Sequence, residues 1–206
     1  MNKLLVLWPL LIVVVSGCAT LNKDECLTAD WYQIGYEDGA RGYADTRIAS
    51  HREACAKHGI TPVFRDYQDG YEEGVIRFCT TSNGFAQGKR GYNYSGICPS
   101  GLEASFLDGY EAGKQIYSVS SLISSLNDEQ RQNENNIEAL QNQIIDKTNL
   151  MLADTTSIAD RYTLNAEISQ MQQDLGGLEE RNRQIIVETA EAQAKLQVLE
   201  EKYAYY

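Results

Sequence analysis

The stretch DYQDGYEEGVIRF, residues 66–78, has helical spacing yet carries two glycines, Gly70 and Gly74, one turn apart between aromatic residues. A glycine inside a helix costs roughly 1 kcal/mol relative to alanine, so a sequence that keeps two of them needs a compensating gain. The pattern recurs along the chain as aromatic-x-x-Gly-aromatic-x-x-Gly-x-x-x-aromatic. Its copies are Tyr32, Gly35, Tyr36, Gly39, Tyr43; Tyr67, Gly70, Tyr71, Gly74, Phe78; and Phe106, Gly109, Tyr110, Gly113, Tyr117. A weaker copy has Thr81 in place of the leading ring, then Gly84, Phe85, Gly88 and Tyr92. At about 100° per residue, the five marked positions fall on one helical face. Acidic residues such as Glu37, Asp38, Asp69, Glu72, Glu73, Asp108 and Glu111 fall on the other. This predicts amphipathic helices whose buried face is made of rings and notches, the notches admitting a neighbouring backbone.

Asp-Gly and Asn-Gly are hairpin signals, but the flanks lack period-two alternation of β-branched residues, so helix is the better reading. A phosphate cradle would need a Gly-Lys-Ser/Thr element after a strand, and neither is present. Helix punctuation agrees with short helices over residues 30–117. Lys57-His58-Gly59 reads as a helix end, Thr61-Pro62 as a new start, and Ser100 with Glu103 as a capping box.

The chain opens MNKLLVLWPLLIVVVSGCAT. One lysine precedes an apolar run from Leu4 to Val15, too short to span a bilayer of about 20 apolar residues. The layout is that of a secretory signal peptide over residues 1–17, to be removed. Val15-Ser16-Gly17-Cys18 resembles the lipobox of bacterial lipoproteins, which implies acylation of Cys18. Ala19 is not the aspartate that favours inner-membrane retention in such proteins, so the expected location is the outer membrane, facing the periplasm, with residues 18–29 as a lipidated linker. A multiply acylated terminus is a sound anchor, since one chain alone binds only marginally.

The formal charge of -11 makes nucleic acid a poor partner. Four cysteines remain besides Cys18: Cys26, Cys55, Cys79 and Cys98. An even number in an exported chain predicts two disulfides with three possible connectivities. Proximity favours 79–98 and 26–55 without settling the matter.

Beyond Ser118 there is no proline or cysteine, and glycine occurs only as Gly176-Gly177. Ile116, Ile123, Ile137, Ile144 and Met151 mark one seam position, with Val119, Leu126 and Leu140 at the other. The register breaks at Ala153-Asp154-Thr155-Thr156-Ser157, where Ser157 and Asp160 have cap spacing. A second run follows through Leu164, Ile168, Leu175, Leu178, Ile185 and Leu199. Sustained heptads on either side of a short connection predict an antiparallel coiled-coil hairpin over residues 118–206. Folding at the connection places Ile144 opposite Met171, Leu140 opposite Leu175, and Asn133 opposite Asn182. The two asparagines would share a layer and mark the register. One broken helix that dimerises in parallel is the rival.

The expected fold class is therefore all-α: a disulfide-stapled head of Gly/Tyr-repeat helices, then a helical hairpin. The runs DWYQIGYEDGARG, HREACAKHGI, GYEEGVIRFCT and NGFAQGKRGYNYSGICP are similar to those of a family of predicted bacterial lipoproteins catalogued as domain of unknown function 2799. That resemblance covers the head and, more loosely, the tail. It implies no activity, cofactor or catalytic residue.

Few residues suggest chemistry. His51, Cys55 and His58 are spaced i, i+4, i+7 as zinc ligands could be, but a disulfide at Cys55 would consume the thiolate; no metal site and no cofactor are expected. Glu72/Glu73 could suggest glycoside hydrolysis, yet they sit on the solvated face. No G-x-S-x-G or H-E-x-x-H element occurs. The tyrosines and Trp31 could stack on sugars, though their helical spacing favours core packing. The expected function is that of a membrane-anchored structural or interaction protein of the cell envelope, without catalysis, whose partner is a protein or a cell-wall component. A peptidoglycan- or polysaccharide-binding module is the alternative. Exposure of Tyr36, Tyr71 and Tyr110 discriminates between them.

Overall fold

A computed structural model describes residues 20–206. The expected leader and Cys18, the expected lipidation position, lie outside the described residues. Among those described there are seven α-helices and no strand: α1 (Lys23–Leu27), α2 (Trp31–Ala40), α3 (Arg47–Ala56), α4 (Phe64–Phe78), α5 (Thr81–Lys89), α6 (Ser100–Leu152) and α7 (Ile158–Lys202). The fold is all-α. None of these helices is long and apolar enough to cross a membrane.

The described residues form two compact units, 20–78 and Cys79–Tyr206. In the first, α2 packs on α4; in the second, α5 packs on α6. Both pairs are made by the repeat, and reciprocally. A Cβ on Gly35 would lie 2.0 Å from the Tyr67 carbonyl oxygen, and one on Gly70 would lie 1.9 Å from that of Tyr32. The second unit repeats the arrangement: a Cβ on Gly84 would stand 2.1 Å from the Phe106 oxygen and one on Gly109 2.0 Å from that of Thr81. Each helix thus lays its carbonyls into the other's notches, at a separation only glycine allows. Dispersion and ring burial across so close a contact offset the helical penalty of the glycines.

The closing turns are also shared. Tyr43 N–H donates to the Asp38 carbonyl and Gly42 N–H to that of Gly39; Tyr92 and Gly91 do the same with Gln87 and Gly88. These are Schellman closures. Gly42 (φ 80°) and Gly91 (φ 76°) sit in the left-handed region, and a side chain on either would strike the ring of Phe78 or Tyr117. The Tyr71 hydroxyl then donates to the Tyr43 carbonyl at 2.8 Å, and the Tyr110 hydroxyl to the Tyr92 carbonyl at 2.9 Å. The head is one helix-pair design built twice.

Burial departs from the expected uniform face. Tyr67, Tyr71, Phe78, Phe106 and Tyr110 are buried, whereas Tyr32, Tyr43, Tyr92 and Tyr117 are exposed and Tyr36 is half-buried. The second helix of each pair carries most of the core. Disulfides join Cys26 to Cys55 and Cys79 to Cys98, closing separations of 29 and 19 residues. In both units the bridge ties the segment before the first helix to the connector before the second. Each restrains the unfolded chain by about 3–4 kcal/mol.

Several local expectations are corrected. Residues 18–29 are not wholly a linker, because α1 lies there with its own Asn22–Glu25 capping box and Cys26 bridged to α3. Thr61 and Pro62 do not start α4, which begins at Phe64. Pro99 precedes α6 with no side-chain cap; the Glu103 carboxylate instead accepts from the Tyr94 hydroxyl at 3.0 Å. The boundary at 117/118 is no break: α6 runs through it for 53 residues, so the same helix serves the repeat pair and the hairpin.

The hairpin is formed by α6 and α7. Asn133 Nδ2 donates to Asn182 Oδ1 at 3.0 Å, in the register read from the heptads. Ser157 caps α7 through the Asp160 N–H at 3.2 Å. Across the seam, Lys147 pairs with Glu167 at 2.6 Å and Arg181 grips Glu129 with two nitrogens at 2.6 and 2.9 Å. Arg181 holds the Glu129 carboxyl below its usual range, and its own guanidinium is pushed up by Glu129 and Glu188. Gly176 and Gly177 face open space. At the base, Ile116, Val119, Leu199 and Tyr203 form a core joined by Phe85 and Tyr206, and the Tyr206 hydroxyl reaches Asp108 Oδ2 at 2.6 Å.

Candidate functional site

The residues with the most chemistry meet in the first unit. Asp38 was expected on the solvated face of α2, but it is only 4 % exposed. It directly precedes Gly39, whose close approach to the Tyr71 carbonyl presses this turn of α2 against α4. From α3, Arg47 and His51 stand one turn apart and both reach it. Arg47 Nε lies 3.1 Å from Asp38 Oδ1, as an ion pair rather than an aligned hydrogen bond. His51 Nε2 lies 2.8 Å from Asp38 Oδ2, and the Tyr67 hydroxyl donates to that same oxygen at 2.9 Å. A buried carboxylate accepts only, and here three donors surround it. The Arg47 guanidinium also covers the Tyr43 ring at 3.8 Å.

His51 Nδ1 is 3.0 Å from Thr20 Oγ1. With Nε2 protonated toward Asp38, Nδ1 accepts from the threonine. Hydroxyl, imidazole and carboxylate are thus aligned, as in nucleophilic relays. The carboxylate, however, is shared with Arg47 and Tyr67. The neighbouring cavity is lined by Tyr67 but by neither Thr20 nor His51, so no reacting group could approach the threonine from that side. The cluster reads as a buried polar node that pins α2, α3 and α4 and the segment at Thr20 together.

His51 and His58 separate: His51 is buried and His58 exposed. The spacing with Cys55 brings no ligand set together, because the Cys55 sulfur is bonded to Cys26. Glu72 and Glu73 are exposed, and Glu73 accepts from the Tyr32 hydroxyl, which raises that phenol's pKa.

Beside the node, between α3 and α4, opens a cavity of about 400 Å³. That volume falls in the range of small-ligand pockets. Its apolar wall comes from Ile48 and Ala49 on α3 and from Phe64, Tyr67 and Tyr71 on α4. The rings of Tyr67 and Tyr71 lie 6.2 Å apart, 15° from parallel. Asp45 and Glu72 stand at its edge, and no basic residue lines it. Burial, then the hydrogen bond to Asp38, pushes the Tyr67 phenol well above its ordinary value. Burial, with the charges of Asp45 and Asp38, pushes Tyr71 up to about 12.

Neither node nor cavity was read from the sequence. The available signal was the pair GARGY (39–43) and GKRGY (88–92), which identifies the first and the weak copy as equivalent first helices. Aligned so, Asp38 corresponds to Gln87 and Tyr67 to Phe106. The charged node belongs to the first copy alone.

These features define a class: an all-α protein of glycine-notched helix pairs with a polar node in one of them. Residues 30–115, which span the glycine notches of both pairs, match the family described as "Protein of unknown function (DUF2799)". No curated protein and no solved structure matches the chain.

Proposed function

We propose that this is a lipoprotein of the bacterial cell envelope, acylated at Cys18, held on the periplasmic side of the outer membrane, and acting by binding a protein rather than by catalysis. The observation that carries this reading is the burial of the repeat rings. Tyr71 and Tyr110, each 8 % exposed, are spent on helix packing and are not displayed as a platform for sugars. The Thr20–His51–Asp38 alignment is likewise spent on holding helices. What remains available is surface typical of interaction proteins: an open apolar cavity, and a hairpin with exposed Leu150, Leu152, Ile158 and Tyr162 beside its connection. Coiled hairpins commonly dock partners, an argument from fold analogy.

A glycan-binding role has one observation in its favour, the exposure of Tyr43 and Tyr92 at equivalent corners of the two pairs. The test is metabolic labelling with a clickable fatty acid, cell fractionation, and photo-crosslinking in intact cells read by mass spectrometry. Labelling lost in Cys18→Ala and crosslinks to a defined protein are the expected results. An unlabelled protein, or crosslinks to peptidoglycan alone, would overturn the reading.

A further inference from the structure

The duplicated helix pair allows one unit to be read against the other. Tyr67 and Tyr71 of α4 correspond to Phe106 and Tyr110 of α6, and Phe64 corresponds to Glu103. In the second unit this aromatic face is covered from within the chain. The Tyr94 ring packs 4.8 Å from Phe106 and 6.1 Å from Tyr110. Its hydroxyl donates to Glu103 at 3.0 Å and accepts from the Cys98 N–H at 2.9 Å. In the first unit the His51 ring stands 6.1 Å from Tyr67. Among the described residues, no tyrosine ring packs over the corresponding Tyr67–Tyr71 face from the connector, and that face borders the cavity of about 400 Å³. Phe64, at the position matching Glu103, is 63 % exposed.

We propose that the cavity between α3 and α4 is a docking site for an aromatic side chain of a partner protein, flanked in the partner's sequence by a basic residue. This deepens the reading of the chain as an interaction protein and rests on it. The aromatic requirement follows from the second unit, where the same surface is completed by a tyrosine ring. The basic flank follows from Asp45 and Glu72 at the edge, with no cation lining the cavity. The site is preformed by a rigid wall, since Tyr67 is tied to Asp38 and Tyr71 to the Tyr43 carbonyl. Docking there costs little reorganisation, which suits recognition of a single anchor residue.

The probe is a short peptide, Gly-Lys-Tyr-Lys-Gly, titrated into the purified protein while backbone amide NMR shifts are followed. Saturable shifts over residues 45–49 and 64–72 are expected. The same peptide with alanine for tyrosine should give none, and one with glutamates for lysines should bind about fivefold to tenfold more weakly. Ala49→Trp, which fills the cavity, and the exposed double change Asp45→Lys with Glu72→Lys should each weaken the tyrosine peptide. The second variant keeps the test valid if the first misfolds. No saturable shifts, shifts that survive both variants, or shifts given instead by a soluble muropeptide would overturn the proposal.

Crosslinking in cells separates its failure from that of the broader reading. A photo-crosslinking amino acid at position 64 is compared with one at exposed Gln143 on α6. Protein crosslinks from 143 with none from 64 remove the cavity proposal alone; none from either position removes the interaction reading itself.

Discussion

Replacing Gly70 with alanine should destabilise the first unit, while the same change at Gly176 should stabilise the second. The Cβ built on Gly70 falls 1.9 Å from the Tyr32 carbonyl oxygen and 2.8 Å from its carbon. Ordinary contact begins near 3.4 Å, so α2 and α4 must separate by about 1.5 Å at that point. Backbone cannot rotate away as a side chain can, and the contact recurs at Gly35, Gly39 and Gly74. Separation therefore loosens the whole pair. Overpacking costs about 1–3 kcal/mol, occasionally more, and this site belongs at the upper end. The gain in helix propensity returns about 1 kcal/mol, leaving a net loss of about 2 kcal/mol or more. Gly176 has nothing within 4 Å, so only the propensity gain operates, about 0.8–1 kcal/mol in the stabilising direction. Denaturant unfolding followed by circular dichroism, with hydrogen exchange to assign each change to its unit, measures both. A neutral or stabilising Gly70→Ala would refute the notch as a packing device, and a destabilising Gly176→Ala would refute the outward placement of that turn.

Asp38→Ala leaves buried His51 and half-buried Arg47 without their acceptor; a loss of about 3 kcal/mol is expected, read as a lower denaturant midpoint with hydrogen-exchange protection falling in α2–α4. Tyr94→Ala removes a half-buried ring from the Phe106–Tyr110 face of the second unit, at about 1–3 kcal/mol, seen as a lower melting temperature. Asn133→Leu alone strands Asn182 at the seam and should cost about 1–3 kcal/mol, whereas leucine at both positions should raise stability; a double-mutant cycle reads the difference. For Tyr71, whose pKa rises from 10.0 unfolded to about 12 folded, the proton is held more tightly by the native state. Its stabilisation is intact below pH 10 and is lost as pH climbs from there toward about 12. The Tyr71 share of the phenolate absorbance, read as the difference between the chain with its 13 tyrosines and Tyr71→Phe, should therefore appear late, together with unfolding, and Tyr71→Phe should delay that unfolding.

Legibility from sequence followed the range of the interaction. The hairpin register was readable because heptad spacing, a cap signal at Ser157 and a central asparagine pair all act along one period. The glycine notches were readable as packing devices because the repeat advertises a face. The partner of each notch was not, since pairing depends on which copies meet, and that is set by the matching corners Arg41-Gly42-Tyr43 and Arg90-Gly91-Tyr92. Asp38 was misplaced for a related reason. Helical phase alone puts it among the acids of the outer face, but α3 crosses there and turns that face into an interior. A third element that covers a polar stripe leaves no periodic trace in the stripe itself; the GARGY/GKRGY match identified the equivalent helices, and Arg47 with His51, one turn apart on α3, was the further sign of a buried anion.

The continuity of α6 has a mechanical consequence. Its first turns lie notched against α5 through Gly109 and Gly113, and its later turns form one arm of the hairpin. At 1.5 Å per residue the helix extends about 80 Å. Tyr203 and Tyr206 at the end of α7 fold back on the same early turns, through Gln115 at 3.0 Å and Asp108 at 2.6 Å. The base is thus closed on both sides, by α5 through glycine contacts and by the terminal tyrosines through rings and hydroxyls. A displacement imposed along the hairpin has no loop in which to dissipate before reaching the repeat pair. Burial along the seam is uneven: Ile116, Val119, Leu126 and Asn133 of α6 are buried, and so are Leu164 and Ile168 of α7 beside the connection, but Ile137, Leu140, Ile144, Met171 and Leu175 between them are only half-buried. Opening should therefore begin in that middle stretch, between the connection and the Asn133–Asn182 layer, and reach the base last. Hydrogen exchange that ran the other way, fastest at residues 112–126, would contradict this order.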